Sequence, residues 1–150
     1  LQRIRDRFPY AFLGGRHAHG GFWRPDLTPH AFDGPFAIGD VEIVPFLQSH
    51  GRSESWGFRI GSFAYCTDTD GLDGNAFAIL DGIDTWIVDA LREAPHPSHA
   101  HLERTLGWVE RLAPRRTFLT HMNHEVDYRT WRAMLPAGVE PAYDGLVIGL

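Results

Sequence analysis

Four short apolar runs restrict the folds open to this chain more than any other feature. Ile43-Val44-Pro45-Phe46-Leu47, Phe63-Ala64-Tyr65-Cys66, Thr85-Trp86-Ile87-Val88 and Thr117-Phe118-Leu119 are too short for helices that bury one face, and Gly, Asp, Asn or His closes each of them soon after. Segments of this kind bury as strands. Each run also stops within three residues of a side chain able to hold a cation, namely His50, Asp68, Asp89 and His121. In layered architectures ligands gather beyond strand termini, so four residues far apart in sequence are expected to meet at one cleft. A strand end is also rigid enough to aim imidazole at a metal, for which neutral imidazole is the commonest protein ligand.

Between and around these runs the periodicity is mixed. Val41–Leu47, Trp56–Ile60 and Phe63–Cys66 read as a three-stranded meander, and Asn75–Leu80 as a short helix. A longer helix is expected from Ser98, a good N-cap after Pro97, through Leu102, Leu106, Val109 and Leu112 to a stop at Pro114. That start puts His99 and His101 in its first turn, where the helix dipole disfavours imidazolium and free amides would hold a phosphate. A last helix runs from Asp127 through Trp131 to Leu135, and a closing strand pair is expected to bracket the turn Asp144-Gly145. Residues 14–40, rich in Gly and Pro, read as a loop excursion. The opening Gln2–Phe8, finished by Pro9, reads as the end of a helix already under way.

Composition narrows the function. A chain of 150 residues, 43% of them hydrophobic, fits one domain. Its net charge of −5 gives no basic field for non-specific nucleic-acid binding and leaves a small or localised anion as the expected partner. A single cysteine, Cys66, cannot form an internal disulfide, and no run reaches membrane-span length or resembles a signal peptide, so a cytoplasmic location is expected. All 14 basic residues are Arg, as GC-rich bacterial coding would give, so no lysine nucleophile exists. Of nine His, seven fall in three groups: His17 with His19, His96 with His99 and His101, and His121 with His124. Clustered imidazole points to metal or proton chemistry, with His30 and His96 expected at the surface. In Thr67-Asp68-Thr69-Asp70-Gly71 a tight turn presents a carboxylate that can bridge two cations.

Taken in order, the His50 strand end, Tyr65-Cys66-Thr67-Asp68-Thr69, Trp86-Ile87-Val88-Asp89-Ala90-Leu91, Pro95-His96-Pro97-Ser98-His99-Ala100-His101-Leu102, Leu119-Thr120-His121 and Ala142-Tyr143-Asp144-Gly145-Leu146 resemble the metallo-β-lactamase fold hydrolases. The resemblance covers most of residues 41–150 and is strongest to the phosphoribosyl cyclic phosphodiesterase branch. It implies an α+β fold, the αββα sandwich, here mainly its C-terminal portion. It implies that His50 binds a first metal, Asp68 bridges both metals and His121 binds the second, with His99 as general acid toward the leaving alkoxide. Asp89 would stand behind the ligands and fix an imidazole tautomer, and His101 would contact the same substrate group as His99.

The implied cofactors are two divalent ions, zinc or manganese, and the implied reaction is attack of a di-metal-activated hydroxide on a small cyclic phosphodiester. The partner is then a small phosphorylated substrate, with no membrane and no specific nucleic acid. The family motif His-x-His-x-Asp-His is missing; His17-Ala18-His19 mimics only its first half. The motif is expected upstream of Leu1, which leaves a partial domain with an incomplete ligand set and a sheet face that a homodimer or domain-swapped dimer could cover. Two alternatives stand beside this reading: the same site acting on a lactone, thioester or RNA phosphodiester, and a non-catalytic interaction module.

Overall fold

Period-two alternation becomes a sheet of seven strands in the computed structural model, which describes residues 1–12 and 27–150. The strands are β1 (Phe36–Ile38), β2 (Val41–His50), β3 (Ser53–Ile60), β4 (Phe63–Cys66), β5 (Thr85–Asp89), β6 (Arg116–Thr120) and β7 (Val139–Pro141), lying side by side in chain order. From β1 to β4 they pair antiparallel, and from β4 to β7 parallel. Because β2 runs in the same direction as β4, β5 and β6, the C-terminal ends of these four strands share one edge of the sheet. The result is the mixed α+β arrangement expected from the sequence.

Two compact units divide the chain, residues 1–33 and 34–150. The first contains α1 (Gln2–Arg7) and a 3-10 turn at Pro9–Ala11. The second contains the sheet and three helices, α2 (Gly74–Leu80), α3 (Leu102–Leu112) and α4 (Tyr128–Met134). Asp73 caps α2 by accepting from the Ala76 N–H at 2.7 Å, and Asp127 caps α4 by accepting from the Thr130 N–H at 2.8 Å.

Phe46, Ala64, Cys66, Trp86, Val88, Leu119 and Val139 form a core with Ala76 and Leu80 of α2, Leu102 of α3 and Trp131 of α4. Trp86 is fully buried, which on an area of roughly 200 Å² is about 5 kcal/mol of gross hydrophobic stabilisation. No helix of the described residues is long and apolar enough to cross a membrane.

Two expectations fail for non-local reasons. The helix expected from Ser98 begins at Leu102, with His101 in extended conformation at its N-cap. The preceding residues are tied into neighbouring loops instead: the Ala100 N–H donates to the Thr69 carbonyl, the Leu102 N–H to that of Arg92, and the Ala100 carbonyl accepts from Leu91. His99 therefore lies outside the helix, and the dipole argument does not apply to it. At the other end no strand pair forms around Asp144-Gly145. The turn is present, with the Leu146 N–H bonded to the Tyr143 carbonyl, but the chain before it lies parallel along β6 as β7.

Of the excursion expected over residues 14–40, Phe36–Ile38 form β1 against β2, and residues 13–26, including His17 and His19, lie outside the described residues.

Candidate metal centre

Each strand of the shared edge delivers one polar residue to it. His50 is the last residue of β2 and Asp89 the last of β5, while Asp68 and His121 follow the ends of β4 and β6. Asp68 and His121 both adopt left-handed backbone conformations, with φ of 54° and 62°. Among the described residues only one other non-glycine residue has positive φ, Ala113 at the end of α3. A left-handed L-residue costs about 1–2 kcal/mol, and such strain concentrates at functional sites. The turn at His121 is held by the Thr120 carbonyl, which accepts from Ala90 at 3.0 Å, and by the Asn123 N–H, which donates to Leu91 at 2.9 Å.

Hydrogen bonds fix which ring nitrogen each histidine offers. His50 Nδ1 lies 2.7 Å from the Ser98 carbonyl, a pure acceptor, so Nδ1 carries a proton and the nitrogen a neutral ring would offer to a metal is Nε2. His99 Nδ1 lies 2.9 Å from Asp89 Oδ2, which leaves its Nε2 available in the same way. Ligand atoms of His50, Asp68 and His99 all lie within 4.8 Å of one another. His121 joins through Asp68, its Nε2 lying 3.5 Å from Oδ1, while its Nδ1 is 3.4 Å from Thr67 Oγ1. The His99 ring stacks on His121 and meets His50 edge-on, both at 4.7 Å between centroids.

Asp89 is fully buried behind this group. Its Oδ2 accepts from the Thr69 N–H at 3.0 Å as well as facing His99, and its backbone carbonyl accepts from Thr105 Oγ1 at 2.7 Å. Oδ1 has no partner. Burial pushes the Asp89 carboxyl above the ordinary carboxylate range, outweighing the bonds from His99 and Thr69 that favour its charged form. The structure thus puts Asp89 where a carboxylate orients an imidazole.

The remaining histidines separate. His96, expected at the surface, is half-buried, its ring 5.1 Å from His99 and its Nδ1 accepting from the Ser98 N–H. Its pKa is lowered by partial burial and then by the neighbouring His99. His30 and His124 are exposed. His101 makes no capping hydrogen bond and stands outside the ring contacts that join His50, His96, His99 and His121.

Imidazole nitrogen and carboxylate oxygen in one small group fit a divalent ion, whose donors lie roughly 3–4 Å from one another. Sequence reasoning missed three polar groups that hold the site, the side chains of Gln48 and Ser55 and the carbonyl of Ser98. For Gln48 a signal existed: it interrupts an apolar strand two residues before His50 and so faces the same way.

A family model described as "Beta-lactamase superfamily domain" matches residues 1–122. An octanoyltransferase of Porphyromonas gingivalis (strain ATCC BAA-308 / W83) is 27% identical over 148 residues, 97% of this chain and 30% of that protein. Among solved structures, a diphosphatase from the PhnP family superposes with a TM-score of 0.77 at 32% identity, covering 80% of this chain and 47% of that one. Human tRNase Z, short form (ELAC1), gives 0.60 at 20% identity over 76% of this chain and 45% of its own. YhfI of Bacillus subtilis, a metallo-β-lactamase fold protein, gives 0.63 at 17% over 76% and 52%. The last two are likenesses of fold alone. The chain spans about half the length of these structures and less than a third of the curated relative.

Proposed function

The chain belongs to the beta-lactamase superfamily domain family and has the metallo-β-lactamase fold, and on that footing we propose that it carries part of the active site of a metal-dependent hydrolase of a small cyclic phosphodiester. The observation that carries this reading is the convergence of His50, Asp68, His99 and His121 at one sheet edge, with the Nε2 atoms of His50 and His99 left available. Likeness to a diphosphatase at 32% identity supports phosphoryl chemistry. Net charge of −5 favours a small anion over a polyanion.

Divalent ions in this site, zinc or manganese by the mixed donor set, would supply Lewis acidity toward a phosphoryl oxygen and a water of lowered pKa. His50 and His121 would hold them through ring nitrogens, with the Asp68 carboxylate as a further ligand. His99 Nε2, in its protonated form, would deliver a proton to the leaving oxygen, the ring being oriented by Asp89 Oδ2 at Nδ1. A second reading, in which His99 is itself a ligand, is supported by its place in the same 4.8 Å group as His50 and Asp68.

Metal content and turnover of purified variants separate the two. Asp68→Ala is expected to lose both metal and activity. His99→Ala should keep its metal and lose roughly 100-fold or more in kcat on a cyclic phosphodiester. Equal metal loss in both variants would make His99 a ligand, and turnover of lactones matching that of cyclic phosphodiesters would overturn the substrate class.

A further inference from the structure

The backbone of Asp68 is held by side chains where the sheet stops holding it. β3 and β4 pair through Phe58↔Tyr65, and on that register Ser55 would stand opposite Asp68 and Trp56 opposite Thr67. β4 ends at Cys66, so the ladder does not continue to those positions. Two polar side chains replace it. Gln48 Nε2 donates to the Thr67 carbonyl at 3.1 Å, and Ser55 Oγ donates to the Asp68 carbonyl at 2.7 Å. Gln48 and Ser55 are themselves cross-strand partners in the β2–β3 register, and Gln48 Nε2 also donates to Ser55 Oγ at 3.0 Å. One connected unit therefore holds two successive carbonyls while the chain between them turns through φ 54°.

The unit is costly where it sits. Gln48 is 2% exposed, and among the described residues its Oε1 has no hydrogen-bond partner. An unpaired buried amide oxygen costs about 1–3 kcal/mol, so an apolar side chain of similar length would suit the core at least as well. Room for it depends on Gly57 across the ladder, where a Cβ would come within 2.8 Å of Oε1 and 2.4 Å of the Phe46 ring. A buried polar side chain whose only described bonds run to Ser55 and to the turn bearing Asp68 is placed for positioning.

We propose that Gln48 and Ser55 are positioning residues that set the Asp68 carboxylate for metal binding by taking over two backbone hydrogen bonds where β4 leaves the sheet. The inference rests on the reading that Asp68 is a metal ligand. Partners of this kind behind a ligand change metal affinity by roughly 10–100-fold.

The test is titration of the metal-free protein with Co²⁺, followed by its ligand-field absorption, beside thermal melts without metal. Gln48→Met and Ser55→Ala are expected to weaken Co²⁺ binding by roughly 10–100-fold, with Ser55→Thr restoring the wild-type affinity. Wild-type affinity in Ser55→Ala, or equal weakening in Ser55→Ala and Ser55→Thr, overturns the proposal. If Gln48→Met does not fold, the two Ser55 variants decide. Asp68→Ala separates the levels: should it bind Co²⁺ as the wild type does, the ligand assignment falls, and should it lose Co²⁺ while Ser55→Ala does not, only the positioning role falls.

Discussion

At His121 the proposed ligand role needs the side chain, while the backbone is left-handed. Glycine would relieve the left-handed conformation at φ 62°, offsetting the roughly 0.5–1 kcal/mol that glycine ordinarily costs through chain entropy. His121→Gly is therefore expected to melt, without metal, no lower than the wild type while losing metal binding; a melt lowered by several degrees would show that the turn is unstrained. Cys66 behaves oppositely, as a residue of the core. Burial pushes its thiol up to about 12 from an ordinary 9.0, although the Trp86 indole N–H, 3.2 Å from Sγ, pulls the other way. Between those values the folded chain keeps a proton that the unfolded chain has released, so the stability Cys66 contributes is full below pH 9.0 and declines as pH rises toward 12. Urea melts between pH 8 and 11 should show that decline, and Cys66→Ala should flatten it. That His50, Asp68, Asp89 and His121 stand at strand ends could be read from sequence because a short apolar run announces its own end. The environment of His99 could not: Ser98 has the chemistry of a helix cap, and what prevents the helix is the pull of the Thr69 and Arg92 carbonyls on amides at 100 and 102.

Elements were legible where their signals are local. The β2–β4 meander, α2 and α4 with its Asp127 cap all follow from alternation, capping and proline placement within a few residues. β7 did not, because Asp144-Gly145 is a strong hairpin signal and nothing nearby says that Val139–Pro141 will pair parallel with a strand about twenty residues earlier. The end of α3 offers a direct check on element energetics. Ala113 closes the helix at φ 49°, its N–H bonded to the Val109 carbonyl at 2.8 Å, in a conformation that glycine adopts without penalty. Ala113→Gly should raise stability by about 0.5–1 kcal/mol in chemical denaturation, the αL cost removed less the entropy added. A loss of stability would mean that packing of the Ala113 methyl outweighs the backbone term.

For the whole molecule, a site built from four strand ends exists only when the sheet does. Metal should therefore bind the folded chain and not the unfolded one, adding about 2.7 kcal/mol to unfolding at a free concentration 100 times Kd. Melts with and without Zn²⁺ should show an upward shift in the wild type and none in Asp68→Ala; an equal shift in both would place the ion elsewhere. The order of the strands carries a kinetic consequence too. The β2–β4 meander closes through short loops and brings His50 and Asp68 to one edge on its own, whereas His99 and His121 arrive only after β5 and β6 have joined by long crossovers. In refolding, tyrosine and tryptophan signals from the meander should thus precede the Co²⁺ absorption band, so that the colour of the bound ion times the arrival of β6.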